Sequence, residues 1–329
     1  MEIALLQIKN LKTYFFQHND LFSKLLGQKQ NIIRAVDGVS LDIKKGRTCG
    51  LVGESGCGKS TLAQSIFRLV DPLEGKILYK DQDVLKMNEK TLRVFRHRIH
   101  FIFQDQFGCL NPRMTAGQLI AEPLANYKSS NHKNEDSAQH VFDLLNAVNL
   151  DYQDALKFPH EFSGGQARRI SIARAIALDP EFIVADEPTS GLDISTAATI
   201  LNLLKDLQER LDVTYLWVSH DLSQVKYMTD DIAIMYLGKI VETGKTVDVF
   251  ENLAHPYSQA LVSAIPHVRA TNRMKKIVLR GEVPSSLNPP RGCRFHTRCP
   301  YSFKRCEEEE PQLIDLGSEH FAACHLHSP

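Results

Sequence analysis

The chain has 329 residues, 43% hydrophobic and 24% charged, a composition that excludes disordered, collagen-like and disulfide-scaffold proteins and leaves room for two modest domains. Lysine plus arginine and aspartate plus glutamate each number 39, so no net field steers the protein toward nucleic acid or an acidic membrane surface. The longest uncharged apolar stretches, such as 194–204 and 232–238, fall short of the roughly 18 residues a spanning helix needs. At the N-terminus, MEIALLQIKNLKTYFF carries Lys9 and Lys12 inside an apolar pattern and lacks a small-residue cleavage site, which reads as a strand and not as a secretion signal. The expected compartment is the reducing cytosol, where the seven cysteines read as free thiols or metal ligands.

Five short apolar runs, 48–52, 99–103, 182–185, 214–218 and 232–236, alternate with segments of helical spacing, the rhythm of a parallel sheet with crossover helices. The expected class is α/β. The first run leads into Gly53, Glu54, Ser55, Gly56, Cys57, Gly58, Lys59, Ser60 and Thr61, a GxxxxGK[ST] string followed by the helical pattern TLAQSIFRLV. Its glycines let amide groups curl round a phosphate and the helix adds its positive end, while Lys59 reaches the β- and γ-phosphates and Ser60 ligates Mg²⁺. Between 105 and about 161 the strand signal stops, and polar stretches such as KSSNHKNEDS separate apolar helical ones such as VFDLLNAVNL. This reads as an inserted helical subdomain, about 105–177. Its last helix opens on Ser163, Gly164, Gly165 and Gln166, a second anion-seeking helix end that one subunit does not need for the same nucleotide. The run that starts 16 positions after Gln166 ends in Asp186 and Glu187, types that suit a Mg²⁺ role and a water-activating base respectively.

The order of these strings resembles the ATP-binding cassette ATPases, and within them the oligopeptide and dipeptide importer subunits. VGESGCGKSTL, the glutamine of FQDQFGCLNPRMT, HEFSGGQARRISIARAIALDP, IVADEPTSGLD and VSHDLSQV carry the likeness from about residue 3 to 265. HPYSQALVSAIP and GCRFHTRCPYSFKRC extend it to the peptide-importer branch. Phe162, where leucine is commoner, and the triplet Ala167, Arg168, Arg169 depart from the usual signature without removing a group that touches nucleotide. The resemblance implies a P-loop NTPase core over 1–265 with the helical subdomain inside it, and a Cys-rich, oligopeptide-transporter-type extension over 266–329. It implies ATP and Mg²⁺ as cofactors, and an ATP-hydrolysing subunit of an importer for di- or oligopeptides, with nickel or another small solute as the rival cargo. The implied partners are a second ATPase subunit, a paralogue being preferred to an identical copy, two transmembrane permease subunits and an extracytoplasmic solute-binding protein. The implied location is peripheral, at the cytoplasmic face of the cell membrane. Two cassettes would pair head to tail, with Ser163, Gly164, Gly165 and Gln166 of one closing over ATP held by Lys59 of the other. By the same resemblance Gln104 would contact Mg²⁺ and the attacking water, His220 the γ-phosphate and Asp193 the dimer interface. Phe15 would stack on adenine, with Tyr14 the second choice; without the family, these read as surface or packing residues.

Cys293, Cys299, Cys306 and Cys324 crowd a Pro-rich C-terminal segment and lack the C-x₂-C pairs of most structural zinc sites. In the family such a pattern is associated with an iron-sulfur cluster, here written [4Fe-4S]; a zinc site aided by His320, His325 or His327, and plain reduced thiols, are the alternatives. Few apolar side chains and the acidic run Glu307 to Glu310 lead to the expectation that a metal centre replaces a core in this segment. Arg291, Arg294, Arg298, Lys304 and Arg305 raise a nucleic-acid reading, yet no aromatic ladder accompanies them. A soluble cassette ATPase acting on nucleic acid or ribosomes is therefore the further alternative, and no nucleic-acid partner is expected. Tandem translation-factor cassettes carry two phosphate loops where this chain has one.

Overall fold

The structure, a computed structural model, describes residues 4–16, 31–127, 137–265, 277–279 and 281–328. The polar stretch KSSNHKNEDS, except its last residue, and the first residues of the expected extension, 266–276, lie outside the described residues. The strands are β1 (Ala4–Phe16), β2 (Ile32–Lys44), β3 (Thr48–Val52), β4 (Glu74–Tyr79) and β5 (Gln82–Asp83). They continue with β6 (Ile99–Ile102), β7 (Phe182–Asp186) and β8 (Thr214–Ser219), then β9 (Asp231–Tyr236), β10 (Lys239–Lys245), β11 (Ile314–Asp315) and β12 (Phe321–Ala322). The chain divides into two compact units, one of residues 1–86 with 218–329, the other of residues 87–217.

In the first unit, β1 and β2 pair antiparallel along their length and β4 and β5 complete a sheet of order β2-β1-β4-β5. Alternation explains it: Val39, Leu41 and Ile43 are buried every second residue of β2, and Leu6 and Ile8 do the same in β1. A second sheet runs β11-β12-β10-β9-β3, with β3 parallel to β9 and the other pairs antiparallel. Every residue of β3 is buried, as a strand covered on both faces requires.

The C-terminal segment corrects the expectation of a region without a core. β12 adds to β10, and Phe295, 1% exposed, packs against Tyr236 at 5.2 Å, Tyr257 at 5.4 Å and His255 at 5.7 Å between ring centroids. Glu242, fully buried on β10, accepts from the amides of Ala254 at 2.8 Å and His255 at 2.9 Å and meets His320 Nε2 at 2.8 Å. Few apolar residues suffice because Phe295 joins an aromatic cluster and the buried Glu242 is paired with two amides and His320.

In the second unit, β6 and β7 are parallel in an order β8-β7-β6. Between β6 and β7 the described elements are all helical, including Ala116–Asn126, Ser137–Ala147 and Gly164–Ile176. Their starts follow capping chemistry: Thr115 and Gln118 form a reciprocal capping box, and Asn88 caps the earlier helix Glu89–Arg98. The long helix Ile194–Leu211 buries Ala197, Ile200, Leu201, Leu204 and Leu207, the three-and-four spacing of one helical face.

Candidate functional site

The phosphate-loop string closes a tight turn after β3, and two of its glycines, Gly53 and Gly58, are required by contact. A Cβ on Gly53 would stand 2.2 Å from the Met235 carbonyl oxygen, and one on Gly58, at φ 109°, would stand 2.0 Å from that of Ala35. Helix Lys59–Ile66 begins directly after Gly58. Lys59 is 6% exposed and its Nζ donates to the carbonyls of Gly53 at 2.7 Å and Glu54 at 3.0 Å. Ser55, Gly56 and Ser60 are exposed and Thr61 half-buried, so the rim of the loop faces solvent. Cys57 is buried, and burial pushes its thiol pKa up, which makes its side chain a packing group.

In the same unit, Phe15 lies near the end of β1 and is 40% exposed. Tyr14 is committed elsewhere: its hydroxyl donates to Asp37 Oδ1 at 2.5 Å, and burial with this bond pushes its pKa up to about 12. His220 is exposed, one residue past β8, and Asp221 after it caps helix Leu222–Met228.

The second unit assembles the other polar groups. Asp186 ends β7 and is 6% exposed; Glu187 follows in the left-handed region at φ 46°, a conformation unusual for a residue with a side chain. The Gln104 Nε2 donates to Glu187 Oε2 at 2.9 Å, across 83 positions of sequence. Gln104 is held from behind by Arg168, which is fully buried in the helix Gly164–Ile176. Its guanidinium donates to the carbonyls of Phe103 at 2.7 Å and Gln104 at 3.1 Å, and burial lowers its pKa to about 10. Sequence reasoning passed over Arg168 as a variation in the signature; an arginine on the buried face of a helical pattern was the available signal.

Ser163 Oγ accepts from the Gln166 amide at 3.3 Å and Gln166 Oε1 from the Ser163 amide at 3.0 Å, a capping box that fixes the turn through Gly164 and Gly165. A Cβ on Gly165 would lie 2.6 Å from Thr196 Cγ2, so only glycine admits this approach. Asp193 caps helix Ile194–Leu211, and hydrogen bonds from Ser195 and Thr196 hold its carboxyl well below the usual carboxylate range.

All seven cysteines carry free thiols. Cys293 is pushed up to about 12 by burial, and the charged neighbours it would meet as a thiolate are Cys306, Cys324 and Cys299. The sulfurs of Cys293, Cys299 and Cys324 are paired with the backbone at Phe295, Tyr301 and Leu326, each two residues on, a donor set suited to thiolates. The four sulfurs are nevertheless not gathered into a ligand set: among the described residues no group of three or more His, Cys, Asp or Glu is arranged to hold a metal ion. The expectation of a preformed four-cysteine centre is corrected to that extent. One ring nitrogen of His320, His325 and His327 is engaged by Glu242, the Glu309 carbonyl and the Ala254 carbonyl, which orients each ring without excluding its other nitrogen as a metal ligand. Four of the five basic residues pair within the chain: Arg294 binds Asp37, Arg298 binds Glu54, Lys304 meets Glu308 and Arg305 meets Glu309.

Among the described residues no helix is long and apolar enough to cross a membrane. The ABC transporter family profile matches residues 36–190, and the oligopeptide/dipeptide transporter C-terminal region matches 241–306. The oligopeptide transport ATP-binding protein AppF of Bacillus subtilis (strain 168) is 46% identical over 99% of this chain and 98% of its own length. The dipeptide transport ATP-binding protein DppF of Escherichia coli (strain K12) is 41% identical over 98% and 95%. Among solved structures, the dimeric post-hydrolysis state of the ATP-binding cassette MJ0796 bound to ADP and Pi matches with a TM-score of 0.64 at 30% identity, covering 73% of this chain and 98% of that one. CbiO1 of Clostridium perfringens, part of the cbiONQ complex, matches at 0.64 and 25% identity over 77% and 92%. With this fold, a phosphate loop and near full-length relatives, the chain belongs to the ATPases of the ABC transporter family, in the branch that carries the oligopeptide/dipeptide transporter C-terminal region.

Proposed function

We propose that this ATPase powers uptake of di- and oligopeptides across the cytoplasmic membrane, bound peripherally to two permease subunits that receive cargo from an extracytoplasmic solute-binding protein. The observation that carries the reading is the similarity to a peptide transport subunit along 99% of the chain, C-terminal region included. Residues 53–61 cradle the ATP phosphates, Lys59 neutralises the β- and γ-phosphates, and Phe15, exposed where Tyr14 is tied to Asp37, stacks on adenine. Ser60, Asp186 and Gln104 are the residues that would hold Mg²⁺, whose charge offsets that of the phosphates. Glu187 takes the proton of the attacking water, Gln104 orients that water, and His220 contacts the γ-phosphate.

Ser163, Gly164, Gly165 and Gln166 close over the nucleotide of a second ATPase subunit, a paralogue in our reading, with Asp193 at the seam. The capped turn of the signature is in keeping with this, because it presents a helix N-terminus that its own phosphate loop does not need. Domain boundaries at 1–265 and 266–329 are proposed, with a helical subdomain at 105–177 that passes closure to the permeases. Cys293, Cys299, Cys306 and Cys324 hold a [4Fe-4S] cluster once iron draws their sulfurs together, a reading supported by the charge each would present to Cys293 as a thiolate and by the backbone partners of Cys293, Cys299 and Cys324. The test is reconstitution with the permeases and binding protein. Peptide-loaded binding protein should raise ATP turnover several-fold; stimulation by nickel-loaded protein and not by peptide would replace the cargo, and stimulation by nucleic acid or ribosomes would replace the function.

A further inference from the structure

Glu54 has all its polar groups committed, and two of the three partners come from the C-terminal part of the chain. Its amide donates to the Tyr257 hydroxyl at 2.9 Å, and its carbonyl accepts from Lys59 Nζ at 3.0 Å. Its carboxylate receives both terminal nitrogens of Arg298, Nη1 to Oε2 at 2.7 Å and Nη2 to Oε1 at 3.1 Å. Arg298 is 244 positions away, beside Cys299, and its side chain is 8% exposed against 27% for Glu54. The guanidinium also reaches the Tyr236 hydroxyl at 3.4 Å and lies 5.9 Å from that ring's centroid. The Tyr236, Tyr257 and Phe295 rings that pack on one another carry the whole arrangement.

We propose that Arg298 is a positioning residue for MgATP binding: its two-pronged bond cancels the Glu54 carboxylate and fixes the phosphate loop, so that the C-terminal segment sets the affinity for MgATP. The inference rests on the reading of residues 53–61 as the nucleotide site. A carboxylate one residue into a loop built to surround phosphates repels the very charge the loop must hold. A bidentate guanidinium is the group that silences it, because the fork matches both oxygens and stays charged at any physiological pH. Partial burial keeps the pair from being screened as a surface ion pair is. The ground-state phosphates feel an uncovered Glu54 as much as the transition state does, so its removal acts on binding more than on turnover.

The experiment measures MgATP affinity by displacement of a fluorescent nucleotide, with kcat and KM, on the full chain at low and high salt. Arg298→Gln should weaken MgATP binding about tenfold, or about 1.4 kcal/mol, with kcat changed less than about threefold. The loss should shrink as salt rises, and Arg298→Lys should recover part of it. Adding Glu54→Gln to Arg298→Gln should improve affinity over Arg298→Gln alone, a rescue that a purely structural role for Arg298 does not produce. Affinity in folded Arg298→Gln equal to wild type, or a double variant weaker than the single, overturns the proposal. Should Arg298→Gln not fold, Arg298→Lys decides: it must bind more weakly than wild type and regain affinity when Glu54→Gln is added. Lys59→Ala separates the two readings, since undiminished MgATP binding by that variant would remove the nucleotide site itself.

Discussion

Replacing Glu187 with glutamine isolates the hydrolytic carboxylate from everything else around it. Glu187 sits at φ 46° and receives the Gln104 Nε2 at 2.9 Å. Glutamine has the same length, meets the same left-handed backbone strain and offers a carbonyl oxygen to the same amide, so fold and Gln104 position are retained. What disappears is the basicity. A positioned general base contributes about 10²–10⁴-fold in rate, which at about 1.4 kcal/mol per decade is roughly 3–5 kcal/mol of barrier. ATP turnover should fall by that factor, while MgATP affinity stays within about twofold. With hydrolysis blocked, ATP should drive the variant into a long-lived dimer visible by gel filtration. The assay is steady-state phosphate release beside a nucleotide titration and a melting curve. Turnover within about threefold of wild type would refute the base assignment, and a matching loss of affinity would show that Glu187 acts on the ground state.

Lys59→Ala should lose MgATP binding and Ser163→Arg should keep binding but lose hydrolysis; mixed, they should regain activity from the one composite site left intact, and no regain in a demonstrated dimer counts against head-to-tail pairing. Anaerobically purified protein should be brown, with about four iron and four sulfide per chain, and Cys299→Ser should bleach it while sparing MgATP binding. A colourless protein with one zinc would transfer the site to zinc, and four titratable thiols without metal would remove it. His255 is buried and its pKa lowered to about 3, by burial first and then by His327. The unfolded chain therefore takes up a proton near pH 6.5 that the folded chain refuses, so stability is full above that value and falls by roughly 1 kcal/mol per pH unit toward pH 3. Denaturant melts from pH 7 to 4 check it; a slope unchanged in His255→Asn would place the acid sensitivity elsewhere.

The parallel strands were legible because their burial on both faces writes them as unbroken apolar runs: β3, β7, β8 and β9 lie within a residue of the runs that announced them. Phe103 fell outside β6 because pairing with β7 ends at Ile102 and the Phe103 carbonyl is taken by Arg168. The antiparallel sheet was legible only at β1. β2 carries Arg34, Asp42 and a buried Asp37 among its apolar residues, and its pairing partner lies across an intervening stretch, so alternation alone did not separate it from a loop. β11 and β12 are two residues each, below what any periodicity can register.

The site divides along the same line. Residues that act through their own backbone, 53–61 and 163–166, were legible because glycines and caps are written locally, and the structure explains Gly53, Gly58 and Gly165 by a carbonyl or a methyl that a Cβ would strike. Residues that act through a distant partner were not legible: the bond of Gln104 to Glu187 spans 83 positions, those of Arg168 to Phe103 and Gln104 span 65 and 64, and that of Arg298 to Glu54 spans 244. The resemblance to a known family supplied Gln104, but Arg168 stood out only as a departure from the signature and Arg298 only as one of a basic cluster. Both are arginines whose charge ends against main-chain carbonyls or one carboxylate, and in a sequence such residues look like surface cations. The consequence is sharpest for the C-terminal segment, read from its cysteines as an appendage in need of a metal. It belongs to the same compact unit as the phosphate loop. A chain ending at 265 would keep every residue of the GxxxxGK[ST] string and the Tyr257 anchor, yet leave the Glu54 carboxylate without its counter-charge.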